Sequence, residues 1–203
     1  MKPMNIRRVK EKDTSQVLEI LKPYILETAI TFEIEAPTSS SFKERVLNID
    51  SKYPFLIIED ASSEILAYAY ANEFRTKAAY AWSLESTVYV KSGHHGKGLG
   101  KIIYQTLFEL LKLQGFYNVY AGVALPNDAS VALHRGIGFK DLGTFENIGY
   151  KFNQWHSTQW FQMRLNNADP VLPTLSIETL FESETATQIL KQYTTALNGT
   201  TQS

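Results

Sequence analysis

The segment that most narrows what this chain can become is Gly93-His94-His95-Gly96-Lys97-Gly98-Leu99-Gly100. Before it stand the bulky residues Val88, Tyr89 and Val90, which favour a strand. After it Leu99, Ile103, Leu107, Leu110 and Leu111 repeat at helical spacing, with Gly115 as a natural stop. A strand, a glycine turn and a helix in that order make an anion cradle. Glycines let a ligand approach the backbone, while the free N–H groups and positive dipole end of the new helix attract a phosphate or pyrophosphate. Lys97 and Lys101 add positive charge beside it. The turn lacks the G-x-G-x-x-G spacing of a dinucleotide fold, and no lysine followed by serine or threonine completes a P-loop, so both nucleotide readings weaken. A tight connection between packed elements is the bland alternative.

The flanking pattern decides between them. Residues 5–9 read as a first strand, and Asp13 as the N-cap of a helix carrying Val17, Leu18, Ile20 and Leu21, which Pro23 should kink or end. Ser41 with Glu44 resembles a capping box for a second helix. Strands are expected at 55–58, 65–71 and 81–90, forming an antiparallel meander ahead of the glycine turn. Beyond the Leu99 helix come a strand at 119–124, a helix opened by Pro126, Asn127 and Asp128, and strands at 140–148 and 158–165. This order predicts a mixed α/β fold, a mostly antiparallel central sheet with helices on both faces.

The domain is expected to span 1–165. From Asn166 the polar run with Asp169, Pro170 and Pro173 reads as a connector, and 166–203 as a tail. Within it Ala186, Ile189, Leu190, Tyr193 and Leu197 share one face of an amphipathic helix starting near Ser183 and stopped by Gly199. That face could dock on this chain or a partner, and a disordered tail is equally compatible.

Composition excludes several classes. A chain of 203 residues, 44% hydrophobic, fills one core. A net charge of −1 gives no general attraction to nucleic acid or to an anionic membrane, which favours a small-molecule partner. The absence of cysteine excludes a thiolate metal site and a cysteine acyl-enzyme, so acyl transfer would be direct. Met1-Lys2-Pro3-Met4 begins no signal peptide and no apolar run spans a bilayer, giving a cytoplasmic expectation. His94, His95 and His156 lack acidic partners at ligand spacing, so no metal is expected.

Ordered motifs along 5–165 resemble the GNAT superfamily of N-acetyltransferases, and within it the phosphinothricin and methionine sulfoximine N-acetyltransferases. They are Thr31-Phe32-Glu33, Tyr80 with Trp82, Glu85-Ser86-Thr87-Val88-Tyr89-Val90, Leu125-Pro126-Asn127-Asp128 with Ser130 and His134, Gly138-Phe139, Gly149-Tyr150-Lys151, and Trp155-His156. The glycine turn is similar to that family's coenzyme A loop, Q/R-x-x-G-x-G/A, with His95 where glutamine or arginine is usual. The resemblance implies the GNAT fold, acetyl-CoA as cosubstrate, a small amino-acid-like acceptor and a homodimer. It implies that Val88, Tyr89, Val90, His95, Gly96, Lys97, Gly98, Leu99, Gly100, Lys101, Asn127 and Ser130 contact the coenzyme.

Transfer to an amine needs a base, a donor for the developing oxyanion and a proton for the thiolate. The resemblance assigns Glu85 as base, backbone N–H groups near 88–90 as oxyanion donors, and His134 as a second catalytic residue able to donate or accept a proton. Burial would have to raise Glu85 above the ordinary carboxylate range. A solvent-facing strand glutamate and a helix histidine bonded to a carbonyl are the alternatives. Phe32, Arg75, Lys77 and Tyr80 stand where related enzymes bind the acceptor, Arg75 and Lys77 suiting an anionic group. A peptide or protein N-acetyltransferase and a noncatalytic coenzyme A sensor remain the competing functions.

Overall fold

In the computed structural model, residues 3–169 and 171–200 are described; Met1, Lys2 and Pro170 of the sequence reading lie outside them. Seven strands form one sheet: β1 (Met4–Arg8), β2 (Phe55–Asp60), β3 (Ile65–Glu73), β4 (Ser83–Val90), β5 (Asn118–Ala124), β6 (Lys140–Lys151) and β7 (Gln154–Arg164). Their order is β1-β2-β3-β4-β5-β7-β6. Every neighbouring pair is antiparallel except β4 and β5. The expected mixed, mostly antiparallel sheet is therefore present.

Period-2 alternation sorts the apolar side chains into two layers. Phe55 and Ile57 join α1 (Thr14–Glu27) and α2 (Ser39–Asp50) on one face, while Leu56 and Ile58 join α3 (Leu99–Gln114) on the other. The uninterrupted run Phe55–Ile58 is buried throughout because both faces of β2 are covered. Gly115 ends α3 at φ +102°, the left-handed stop that its position suggested.

Several local expectations change. Pro23 does not end its helix: α1 continues to Glu27, its last turns held against the sheet by fully buried Ile25. Asp13 stands at the N-cap of α1 as expected, but its side chain makes no cap bond to that helix: it takes the Lys10 N–H at 2.7 Å across the preceding 3-10 turn (Glu11–Asp13) and grips Arg7 at 2.6 Å. The N-cap of α2 is Thr38, whose hydroxyl accepts the Ser41 N–H at 3.2 Å, so Ser41 lies in the first turn. The last two strands outrun their expected limits and meet at a tight turn where Phe152 and Asn153 adopt φ +52° and +59°.

The tail folds back on the domain. Short helix α5 (Ile177–Glu182), unforeseen in the sequence reading, starts at a Ser176 cap. It leads into α6 (Glu184–Thr200), which runs through Gly199 rather than stopping there. Ile177, Leu180, Ala186 and Leu197 are buried in the α3-side core. The side chains of α6 also finish the rim of the sheet: Asn198 accepts the Met4 N–H at 2.8 Å and donates to Met4 O at 2.9 Å, and Thr194 accepts the Ile6 N–H at 3.1 Å. No helix among the described residues is long and apolar enough to cross a membrane.

Candidate active site

Strands β4 and β5 pair at Ser83, Leu84 and Glu85 and then part. The β3–β4 register is unbroken from Leu84 to Val90, so no bulge disturbs alternation along β4. Glu85, Thr87 and Tyr89 thus share one face, and Ser86, Val88 and Val90 the other. Lys91 donates its N–H to Leu66 O on β3 at 2.8 Å. Two-residue alternation then turns the N–H groups of Val88 and Val90 away from β3, into the gap left by β5. The resemblance expects oxyanion and pantetheine donors at this place, and these two N–H groups have no ladder partner on β5.

Below the gap lies a cavity of about 500 Å³. It is lined by Val88, Tyr89, Val90, His95, Gly96, Leu99, Gly100, Lys101, Asn127 and Ser130. Lys97 and Gly98 belong to the turn but do not line the cavity. Gly93, Gly96 and Gly98 hold φ of +79°, +74° and +77°, and a Cβ on any of them would meet nothing within 4 Å. Their backbone is open to a ligand, and α3 begins at once behind it, so the residues present fit a pyrophosphate. The Tyr24 hydroxyl donates to Val90 O at 2.5 Å and lies 2.7 Å from His95 Nε2. With the phenol proton spent on the carbonyl, His95 must donate from Nε2, which fixes its tautomer. Asn127 caps α4 (Asp128–Gly136) by accepting the Ser130 N–H at 3.2 Å, so its side chain serves the helix as well as the cavity wall.

A second cavity of about 400 Å³ adjoins the first, sharing Ile30, Val88, Tyr89, Asn127 and Ser130 as walls. Glu85 lines it. Burial raises the Glu85 pKa above the usual carboxylate value, with Arg75 pulling weakly the other way. The residue is half-buried.

His134 lines the same cavity from α4 and is almost wholly buried. Its ring stacks on Phe161 at 5.3 Å and meets Tyr104 and Phe139 edge-on. Nδ1 donates to Ser130 O at 2.7 Å, while Nε2 is buried without a partner among the described residues. Burial lowers the imidazole pKa, the Ser130 carbonyl opposing it. At neutral pH the ring is therefore neutral, its free Nε2 lone pair suited to accepting a proton. The carbonyl bond foreseen as the bland reading is real, and it orients the ring.

Of the acceptor-binding candidates, Phe32 lines the cavity. A Cβ at residue 149 would fall 2.3 Å from Phe32 Cε2, so only glycine admits the ring there. Lys151 donates to Thr31 O at 2.8 Å and fastens the same loop. Arg75 lines a neighbouring hollow of about 310 Å³ with Phe74, Tyr120 and Trp160. Lys77 and Tyr80 are exposed and line none of these three cavities. Phe32 and Arg75 thus line different cavities that share Trp160 as a wall, and Lys77 and Tyr80 line neither. Residues unforeseen on the walls are Tyr70, Thr87, Tyr104, Thr158 and Trp160. Period-2 alternation from Glu85 could have found Thr87, whereas the others depend on strand register and helix packing. Among the described residues no cluster of three His, Cys, Asp or Glu side chains could hold a metal.

The chain matches the family model for an acetyltransferase (GNAT) domain over residues 6–160. The chain belongs to the GNAT acetyltransferase family. Within that family it is 36% identical to a phosphinothricin N-acetyltransferase of Streptomyces coelicolor over 165 residues, covering 80% of this chain and 96% of the relative. It is 35% identical over 114 residues to an L-methionine sulfoximine/L-methionine sulfone acetyltransferase of Pseudomonas aeruginosa, covering 56% of this chain and 66% of the relative. The crystal structure of a GNAT phosphinothricin acetyltransferase from Sinorhizobium meliloti, in complex with AcCoA, superposes with a TM-score of 0.78 at 26% identity. It covers 86% of this chain and 98% of that one. In this GNAT acetyltransferase the splayed strands, the glycine turn and Glu85 occupy one connected region.

Proposed function

We propose that this acetyltransferase moves an acetyl group from acetyl-CoA directly to the α-amine of a small amino acid or analogue of the phosphinothricin, methionine sulfoximine or methionine sulfone type. The observation that carries the proposal is Glu85, partly buried with a raised pKa on the wall of a cavity adjoining the coenzyme cavity. The activities for which the relatives are named support the substrate class.

Acetyl-CoA supplies the acyl group and a thiol leaving group. Glu85 takes a proton from the incoming ammonium, and a raised carboxylate pKa makes it a better base than an exposed glutamate. The Val88 and Val90 N–H groups meet the acyl oxygen as negative charge develops on it, in a geometry fixed before the reaction. His134 Nε2 takes the second proton of the amine as the C–N bond forms and passes it to the thiolate released when the C–S bond breaks. The glycine turn and Lys101 hold the phosphates. No metal enters this scheme. The proposal includes a cytoplasmic location and a homodimer, the latter supported by the exposed apolar side chains Leu142, Phe145, Ile148, Tyr150 and Trp155 on the β6–β7 hairpin.

Thiol release from acetyl-CoA, followed across a panel of free amino acids, tests the reading. Release with methionine sulfone, methionine sulfoximine or phosphinothricin is the expected result. Release with no amine, despite measured coenzyme binding, would leave a coenzyme A sensor in its place.

A further inference from the structure

Trp160 carries a donor that the chemistry above does not use. Its Nε1–H is buried and has no hydrogen-bond partner among the described residues. An indole N–H can only donate, and burying such a group unpaired is costly unless a ligand satisfies it.

The strands around Trp160 are built to admit it. It pairs with Gly122 on β5 and with Gly143 on β6, a glycine on each side. A Cβ on Gly122 would lie 3.4 and 3.5 Å from Trp160 Cζ2 and Cε2, so the nitrogen-bearing edge of the indole lies over that glycine. Gly122 and Trp160 both line the Glu85 cavity. Glu85 pairs with Tyr120, two residues before Gly122, which places the indole on the same face of the sheet as the base.

We infer that Trp160 is a specificity-determining residue, its Nε1–H donating to an oxygen of the acceptor amino acid while Glu85 addresses the amine. This rests on the acetyl-transfer reading above and adds an acceptor class: amines that present an oxygen acceptor within one residue's length of the nitrogen. A site that pairs a buried donor with a substrate oxygen discriminates against the analogue lacking it. The oxygen belongs either to the side chain or to the α-carboxylate, and the two are separable.

The test compares the wild-type enzyme with Trp160→Phe, which keeps an aromatic wall and removes the donor. The acceptors are L-methionine sulfone, L-methionine, and 3-(methylsulfonyl)propylamine, the sulfone without its carboxyl group. The expected result is a rise of about ten-fold in acceptor KM, the change falling on KM rather than kcat, with the acetyl-CoA KM unmoved. A rise for the sulfone and the propylamine but not for methionine assigns the side-chain oxygen. A rise for both amino acids but not for the propylamine assigns the carboxylate. An unchanged KM for all three, or a loss shared by kcat and the acetyl-CoA KM, overturns the inference. An independent measurement needs no variant at position 160. In ¹⁵N-labelled protein, the Trp160 indole N–H resonance should move on adding acceptor; the Trp82 N–H, bonded to Leu172 O at 2.9 Å, should not. A still Trp160 resonance at saturating acceptor also overturns it. Absence of thiol release by the wild type would instead sink the acetyl-transfer reading itself.

Discussion

Glu85 and His134 lie on opposite faces of the sheet and share a cavity through the gap where β4 leaves β5. Glu85 is in register with Tyr120, whereas His134 stacks on Phe161, which is in register with Ala121, the next residue and therefore the other face. In the proposed reaction the two groups would act on separate protons, and substitutions at the two positions should have separable effects.

Glu85→Gln should lower turnover by about 10²- to 10⁴-fold while acetyl-CoA binding, read by calorimetry, survives. Because burial raises this pKa in the folded state, ionisation of Glu85 opposes folding as pH rises through the folded value, and the fold favours the protonated form below it. The amide variant escapes that penalty. At pH 7 its thermal midpoint should equal or exceed the wild type's, and a marked fall would contradict the buried placement. The wild-type rate should decline on the acid side at a pH above the ordinary glutamate range.

His134 has the opposite sign. Burial holds its folded pKa below the ordinary imidazole value of 6.5, so the unfolded chain binds the proton more readily and stability falls as pH drops below about 6.5. His134→Phe should keep the stacking on Phe161, lose activity, and remove the part of the acid destabilisation seen between about pH 7 and 5.5. Denaturant melts of both proteins across that range provide the check.

Gly149→Ala places a Cβ inside the Phe32 ring and must push that wall of the acceptor cavity aside. Acceptor KM should rise while acetyl-CoA KM stays put. Equal effects on both substrates would show that the loop does more than shape the acceptor side.

Gly98→Ala forces a non-glycine residue to φ +77°, at a cost of about 1–2 kcal/mol. The coenzyme turn should relax away from its present path, raising acetyl-CoA KM and leaving acceptor KM nearly constant in steady-state kinetics.

Leu197→Ala removes a side chain that is 1% exposed between α6 and the sheet. Unfolding in urea should show a loss of about 2–5 kcal/mol, far from any catalytic group. A near-neutral result would mean that the last helix adds little to the core.

What could be read from the sequence was what is encoded locally. The glycine turn, the Leu99 stripe and Gly115 each carry their own conformational signal, and Glu85 stands in a strand whose alternation survived intact. Contacts that depend on distant strands were not readable. Trp160 reaches the cavity because β7 pairs with β5 and because Gly122 leaves room, neither of which is written near residue 160. Tyr104 enters through packing of α3 and a hydrogen bond to Ser86. The β6–β7 hairpin was cut short because Phe152 and Asn153 take left-handed conformations that phenylalanine seldom signals. Thr38 displaced Ser41 as a cap because serine and threonine compete over a few adjacent positions, and local spacing does not choose among them.

The bonds from Asn198 and Thr194 to the backbone of β1 have a consequence for how copies of this molecule can meet. A bare outer strand invites a stranger's backbone to extend the ladder. Here that invitation is withdrawn on the β1 side by the protein's own final helix, leaving β6 as the sheet's other border. A chain shortened before Thr194 would keep Glu85, His134 and the glycine turn, yet become a molecule prone to stack on itself.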